Sequence, residues 1–539
     1  MPILNWLNKD EATATARKCT YRLLKEIPEL SYGDANSENL LIQGDNLEAL
    51  KALIPYYSGR VQCVYVDPPF NTEQAFDNYD DNLEHSVWLS TMYPRFELLY
   101  QFIKEEGTFF LHLDDNEIAY AIVICDEIFG RSNRMFLSTF KQSSASGPKA
   151  MNPGVVSTSS FVVCYAKNKS KWKSNKLLVP TKRDDRYNKF ILNRGLAVEE
   201  WEFCTLREAF AKHSNVEVRD LKKKYLDKYE EKLTEFVLDN SNAVIRTARV
   251  ADKDVGDDAK LSLAQSREIA GRIFEAKRPN KPSQYFMNGE QVAFYSSKSA
   301  EIDGALTTTQ PLTSIWDDLL SNNLHKEGGV KFKKGKKPES LIKRVIELST
   351  SESDIVMDSF LGSGTTAATA MKLNRKFIGI EMGQQAVTHC QQRLVSVVDG
   401  DKSGISKVVG WTGGSGFRFY RLGESVYDEY GCLNADIQFP TLASHIWYLE
   451  TKTALDKKVD TPLLGVHNDT AYYLLYNGIL GDRCPTSGNV LTSKVLNNLP
   501  YIDKHGRIVI YGESSRLGEA RLKQANITFK QIPYDVGTL

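Results

Sequence analysis

Between residues 40 and 166, short apolar runs alternate with longer stretches whose apolar positions recur every three or four residues. Strands and helices that succeed one another in a parallel α/β sheet leave this pattern. Strands are predicted at 40–43, 61–66, 108–113 and 160–166. Helices fall between them: 86–104, with Trp88, Met92, Leu98, Leu99 and Phe102 on one face, and 118–129, stopped at Gly130 as a C-cap glycine would stop it. A second block spans 337–398. Lys337-Pro338-Glu339-Ser340 sets proline at a helix start, and Leu341, Ile342, Val345, Ile346 and Leu348 follow at helical spacing. A strand (354–358), a Gly-rich turn (359–364), a helix (365–373) and a strand (376–381) complete a strand-turn-helix-strand unit.

The pattern breaks between the blocks. Residues 170–335 carry charged runs such as Lys222-Lys223-Lys224 and aromatics set among Lys and Arg, as an inserted module would. The expected organisation is an N-terminal extension (1–37), one half of a catalytic domain (38–169), the insertion (170–335), the second half (336–400) and a small C-terminal α/β accessory domain (401–539). Gly410-Trp411-Thr412-Gly413-Gly414-Ser415-Gly416 lacks the Lys-Ser/Thr ending of a phosphate-binding loop and reads as a tight turn or linker. Strand signals at 471–476 and 508–511 mark the accessory region.

Composition narrows the field. The 539 residues hold 68 Lys and Arg against 68 Asp and Glu, with 42% hydrophobic and 25% charged residues. This is an ordinary globular composition and argues against disorder, collagen and disulfide scaffolds. In a neutral chain any polyanion partner must meet positive charge gathered locally. Lys171-Trp172-Lys173, Lys277-Arg278-Pro279-Asn280-Lys281 and Lys331-Phe332-Lys333-Lys334-Gly335-Lys336-Lys337 are such gatherings. Each alone reads as a solvated face; together they suggest a phosphate-facing surface, with Lys277, Arg278, Lys281, Lys333 and Lys334 as the candidate contacts. The eight cysteines are scattered singly and without zinc-ligand spacing, so reduced thiols and no metal are expected. No apolar stretch of 18 residues and no basic leader precedes an apolar run, so a cytoplasmic protein with no membrane partner is expected.

Two segments carry chemistry. The strand at 61–66 ends on Asp67-Pro68-Pro69-Phe70. The 18 prolines would give about 0.6 Pro-Pro pairs by chance, and roughly 0.04 with a preceding Asp. Carboxyl ends of strands are where ligands bind in open α/β sheets. There the Asp67 carboxylate and Pro68 carbonyl can each accept one hydrogen of an exocyclic amine while Phe70 stacks on its ring. Both acceptors together draw the nitrogen toward sp3 geometry and free its lone pair. The competing account, a proline strand terminator with a capping Asp, leaves the aromatic unexplained.

The second segment is Asp358-Ser359-Phe360-Leu361-Gly362-Ser363-Gly364-Thr365-Thr366. Gly362 and Gly364 permit a tight turn against a ligand, the following helix offers free N–H groups, and Glu381 at the next strand end can take ribose hydroxyls. Gly362 to Ala367 also fits the dinucleotide fingerprint, which keeps a nicotinamide cofactor as a rival. The amine-accepting Asp67 segment favours methyl transfer to nitrogen.

Together the two motifs resemble the N6-adenine methyltransferases of DNA. Their order, catalytic tetrapeptide first and glycine loop nearly three hundred positions later, resembles the permuted β class. Residues 67–130, with Tyr79-Asp80-Asp81-Asn82-Leu83-Glu84-His85-Ser86 and Leu113-Asp114-Asp115-Asn116-Glu117, are similar to the modification subunits of type III restriction-modification systems. The resemblance covers about 38–166 and 310–395. It implies a Rossmann-like S-adenosylmethionine-dependent fold with an inserted target-recognition module. It also implies that Asp67, Pro68, Pro69 and Phe70 act on a base flipped from duplex DNA, because N6 is out of reach inside the stack. Phe360, Leu361, Gly362, Gly364, Thr365 and Thr366, with Asp358, would bind S-adenosylmethionine, and Glu381 its ribose. Asp45 would lie near its adenine and Lys337 with Pro338 beside its methionine. Asp114, Asp115 and Glu117 match a family element, and an acidic helix start explains them equally well. A homodimer and a restriction (helicase and nuclease) subunit are the implied partners. N4-cytosine methylation is the main alternative, with Asp67 favouring adenine; an RNA target and a noncatalytic DNA-specificity subunit are further ones.

Overall fold

The computed structural model describes residues 3–71, 84–144, 154–319, 324–332, 335–427, 433–456, 459–500, 506–532 and 536. The chain divides into two compact units, Met1–Asn175 with Thr313–Leu539, and Lys176–Leu312.

The first unit is built on an eleven-stranded mixed sheet. Its principal strands are β1 (Arg22–Glu26), β2 (Leu40–Gln43), β3 (Val61–Val66), β4 (Ile103–Leu113), β5 (Arg134–Lys141), β6 (Ser159–Ala166), β7 (Ile315–Trp316), β8 (Ile355–Asp358), β9 (Lys376–Glu381) and β10 (Gly416–Ser425). They lie in the order β1-β10-β2-β9-β8-β3-β4-β6-β5-β7. From β10 through β4 every pair is parallel, while β1 and β6 run antiparallel to their neighbours. All six residues of β3 are buried, the polar Gln62 among them, as a central parallel strand covered on both faces requires. Helices α1 (Asn46–Tyr57) and α2 (His85–Phe102) share one core cluster with Val64 and Val66. Helix α3 (Glu339–Ser349) packs against β3 and β4, and α4 (Thr365–Lys372) against α3. The helix that starts at Ile118 runs to Cys125 and continues as a π turn, Asp126–Gly130, ended by Gly130 at φ 84°.

Strands β2, β3 and β9 have the bounds expected from their apolar runs. Four of these ten strands, β1, β5, β7 and β10, were not expected. β5 alternates in burial, and β10 lies in the segment assigned to the accessory domain yet pairs with β2 in the main sheet. The accessory region 401–539 therefore begins inside the sheet. Beyond β10 the chain forms a smaller sheet of Leu463–His467, Thr470–Leu474, Arg507–Gly512 and Ile527–Gln531, antiparallel at its first pair and parallel thereafter.

The second unit is narrower than the span of altered composition, 170–335. It holds a six-stranded antiparallel sheet and a three-stranded one. Its core gathers Tyr187, Phe210, Leu233, Phe236 and Tyr295. No helix among the described residues is long and apolar enough to cross a membrane, and no described group of His, Cys, Asp and Glu is arranged to hold a metal.

Candidate active site

Strand register brings the two motifs together. β3 and β8 pair Cys63 with Val356 and Val64 with Met357; β8 and β9 pair Asp358 with Gly379; β9 and β2 pair Glu381 with Gln43; β3 and β4 pair Val66 with Leu111. Extending these registers by one to three residues sets Asp67 between His112 and the glycine turn at Phe360, with Glu381 one strand further. Five parallel strands thus point their carboxyl ends at one place, the position where open α/β sheets take ligands.

Asp67 is 16% exposed. Its Oδ2 lies 2.6 Å from Lys337 Nζ, and its Oδ1 is buried with no hydrogen-bond partner among the described residues. Burial pushes the carboxyl above its ordinary range, against the opposing ammonium of Lys337. His112 Nδ1 stands 4.0 Å from Asp67 Oδ1. That ring is held by the Tyr65 hydroxyl at Nδ1 (2.8 Å) and Ser160 Oγ at Nε2 (2.7 Å), and burial drives its pKa well below 6.5, so it faces Asp67 as a neutral ring. Phe70 packs near His112, with ring centroids 5.6 Å apart, and Lys337 Nζ sits 4.5 Å from the Phe70 centroid.

Trp88 on α2 donates its indole N–H to the Pro69 carbonyl at 2.9 Å, which fixes the tetrapeptide to the helix behind it. The chain then turns at Asn71, a left-handed residue with φ 59° that is buried and donates Nδ2 to Glu117 Oε1 at 2.6 Å. Glu117 also meets His85 Nδ1 at 2.7 Å. Glu117 therefore braces the segment after Phe70, whereas Asp114 caps its own turn through the Asn116 N–H. The part of the family-like stretch at 72–83 lies outside the described residues.

The glycine turn is braced from every side. Asp358 accepts from the Phe360 N–H at Oδ1 (2.9 Å) and from the Thr366 hydroxyl at Oδ2 (2.6 Å). Burial pushes its pKa up to about 7, with the charges of Asp67 and Glu381 adding to the rise against those two bonds. Gly362 and Gly364 have φ 56° and 79°, and a Cβ on Gly364 would come within 3.2 Å of Cys390 Cα, so both turns need glycine. Leu361 fills the space beside Gly379, where a Cβ would meet it at 2.6 Å. Glu381, buried, accepts from the Gly362 N–H at 2.7 Å. The Ser359 carbonyl takes a bond from Asn46 Nδ2 at 2.9 Å, and Arg95 in turn bonds Asn46. Ser359 Oγ is buried without a hydrogen-bond partner among the described residues.

Beneath this turn lies a buried ionic hub that composition had given no hint of. Glu339, Lys372 and Arg393 have side chains with no exposure. Arg393 reaches Glu339 at 2.7 Å and the Thr365 hydroxyl at 2.7 Å, while Lys372 binds Glu339 (2.9 Å) and Asp401 (2.7 Å). The first residues of α4 are tied in this way to the start of α3, whose N-cap is Pro338.

Three expected cofactor residues are used differently. Asp45 caps α1 through the Leu47 and Glu48 N–H groups and pairs with Arg95 at 3.0 Å; it lines a cavity of about 640 Å³ with Thr15, Lys18, Cys19 and Glu48, none of which belongs to the glycine turn. Asp358 spends both oxygens on the loop itself. The Lys337 ammonium stands at Asp67. Of the expected DNA contacts, Lys333 and Lys334 lie outside the described residues. Lys277, Arg278 and Lys281 form the tip of a hairpin in the second unit, where Arg278 pairs with Lys281 and donates Nε to the Pro282 carbonyl at 2.9 Å. The tip is thus a β-turn, and Arg278 serves its own backbone.

Sequence relatives give this geometry its context. Residues 61–392 match the N6_N4_Mtase family of DNA methylases. A probable type III restriction-modification enzyme HindVI Mod subunit of Haemophilus influenzae is 32% identical over 414 residues, which are 72% of this chain and 54% of the relative. The EcoP15I Mod subunit of Escherichia coli is 26% identical over 427 residues, 69% of this chain and 62% of the relative. The type II methyltransferase M.KpnI of Klebsiella pneumoniae is 24% identical over 364 residues, 65% of this chain and 80% of the relative. The chain thus spans a little over half the length of the two Mod subunits. With 61–392 running from the first residue of β3 past the glycine turn and Glu381, the chain belongs to the DNA methylase family.

Proposed function

We propose that the protein transfers a methyl group from S-adenosylmethionine to N6 of an adenine flipped out of duplex DNA, as the modification component of a cytoplasmic restriction-modification system. The observation that carries the reading is the alignment of Asp67-Pro68-Pro69-Phe70 with the glycine turn at adjacent strand ends. Asp67 Oδ1 and Ser359 Oγ, buried and without a hydrogen-bond partner among the described residues, fit a site that completes its hydrogen bonds with ligands, and the positive-φ glycines fit a backbone that approaches one closely. Phe360 to Thr366 would hold the donor, with Glu381 available to its ribose.

When bound, S-adenosylmethionine supplies a methyl activated on sulfonium, which leaves its electron pair with sulfur as the N6–CH3 bond forms. Asp67 and the Pro68 carbonyl accept the two amine hydrogens, so the nitrogen lone pair is exposed toward the methyl. Phe70 supports the base plane, and Trp88 keeps the tetrapeptide in place. The amine sheds one proton, which Asp67 is hydrogen-bonded to receive. Positioning carries most of the rate in such a step.

Lys277 and Lys281 would meet phosphates, and a homodimer and a nuclease-helicase partner complete the reading; both Mod relatives bear the type III name. Sequencing of DNA from expressing cells by a method that detects modified bases, followed by nucleoside mass spectrometry, tests it. N6-methyladenine in one sequence context is the expected product; N4-methylcytosine would move the assignment to the other exocyclic amine, and unmodified DNA would overturn it. Alanine at Lys277 or Lys281 should weaken binding to specific and random duplexes alike and lower the salt slope by about one per lysine.

A further inference from the structure

Asp67 is held by a group that looks like its substrate. Lys337 brings a nitrogen bearing hydrogens to 2.6 Å from Asp67 Oδ2 and 4.5 Å from the centre of the Phe70 ring. Those are two of the contacts a target N6 amine would make in the same slot. Its side chain is 13% exposed, and its second hydrogen bond, to the Gly335 carbonyl, is long at 3.4 Å. A flexible four-carbon stem carries it, immediately before the fixed Pro338. None of these contacts engages the glycine turn, where a methionine-side residue would be needed.

We propose that Lys337 is a resident surrogate for the target amine: in the DNA-free protein its ammonium fills the amine position on Asp67, and the entering base displaces it. The inference rests on the reading of Asp67 as acceptor of the target amine. It makes Lys337 a positioning residue with two consequences of opposite sign. The base must compete with the ammonium for the slot, so Lys337 opposes base entry. At the same time it keeps the acceptor ionised while the slot is empty. The groups facing Asp67 are Lys337, His112, Tyr65 and Asp358. His112 and Tyr65 are neutral there, since burial lowers the one and raises the other, and Asp358 adds only repulsion. Lys337 supplies the cation.

The test compares wild type, Lys337→Met and Lys337→Arg on the duplex that the wild type methylates, with 2-aminopurine at the position next to the intact target adenine, where its fluorescence reports loss of stacking when that adenine leaves the helix. Lys337→Met should give a several-fold tighter apparent affinity for the flipped state. The acid limb of its kcat/KM profile should move to higher pH by about one unit, because Asp67 loses its cation. Lys337→Arg should leave that limb near the wild-type position and keep base flipping weak. Equilibrium binding of S-adenosylmethionine should be unchanged in both. Unchanged fluorescence and an unmoved acid limb in Lys337→Met would overturn the surrogate role, and so would lost cofactor binding with unchanged fluorescence. If the wild type transfers no methyl group to any DNA, the proposed function fails and the surrogate role falls with it; a methylating wild type confines failure to the surrogate role.

Discussion

Asp67 and Asp358 are carboxylates at the ends of neighbouring parallel strands, the first mostly and the second almost wholly shielded from solvent, and desolvation pushes both upward in pKa. Their oxygens are used in opposite ways. Asp358 gives one oxygen to the Phe360 N–H and the other to the Thr366 hydroxyl, so it closes the glycine turn on itself. Asp67 has one oxygen with no described hydrogen-bond partner and the other on the end of a mobile-stemmed lysine. Burial alone therefore does not tell a catalytic carboxylate from a bracing one. What separates them is whether the hydrogen bonds close within the chain or wait for a ligand.

The contrast can be broken hardest from below. Arg393→Met removes the cation that joins Glu339 to Thr365 and should cost about 3–5 kcal/mol of stability, the usual effect of stripping one partner from a buried pair. Chemical denaturation reads the loss, and cofactor affinity should fall with it. A variant as stable as wild type would show that the hub does not hold the glycine turn.

Asp67→Ala should lower methyl transfer by about 10²–10³-fold or more, the scale of losing one preorganised group that acts on the reacting atoms, while S-adenosylmethionine binding changes little. Radiolabelled transfer and equilibrium binding on one preparation separate the two. Retained activity would remove Asp67 from the catalytic role.

Asp358→Asn should do the reverse. It loses one acceptor at the turn and should weaken cofactor binding about tenfold, as about 1–1.5 kcal/mol for one hydrogen bond implies, with a smaller effect on the transfer step. It should also change pH dependence. Burial pushes the carboxyl up to about 7 from its ordinary 3.8, so the folded state binds the extra proton. Its contribution to stability is greatest at low pH and declines as pH rises from about 4 to 7. Denaturation midpoints at pH 5 and 8 should differ less in Asp358→Asn than in wild type.

Trp88→Phe is the gentlest probe. It deletes the 2.9 Å bond to the Pro69 carbonyl and keeps most of the packing, so transfer should slow by a few-fold to about tenfold with cofactor binding untouched. An unchanged rate would mean that the two prolines hold the tetrapeptide without help.

How much of this was readable in the chain depends on whether the signal was local. β2, β3 and β9 are short, mostly apolar runs closed by turn residues, and their ends were legible to the residue. β10 was not, because what makes it part of the main sheet is pairing with β2, some 380 positions earlier, and no local pattern reports a partner. The catalytic tetrapeptide and glycine turn were legible as motifs for the same local reason. Glu339, Lys372 and Arg393 sit where sequence pattern expects solvated charges; only their mutual contacts, 33 and 54 positions apart, turn them into core. Lys337 was legible as a residue of interest but not in its placement, since the direction of a long side chain beside Pro338 is set by the tertiary slot it enters. Glu117 was legible as part of an acidic element but not as the brace of Asn71, because no local pattern bridges the 46 positions between them.

The register between β3 and β8 also dictates an order of events at the ribosome. β3 emerges with β4 soon after it, but the neighbour on its other edge arrives only after the whole inserted unit has been made. Roughly 290 residues separate them, which at 5–20 residues per second leaves about 15–60 s in which a strand that ends up wholly buried keeps one edge open. During that interval the nascent chain presents a template for unwanted strand pairing, and the emerging Lys176–Leu312 unit must fold independently for the half-sheet to be completed correctly. Synthesis rate and chaperone supply should therefore govern the yield of active protein more strongly than the stability of the finished fold does.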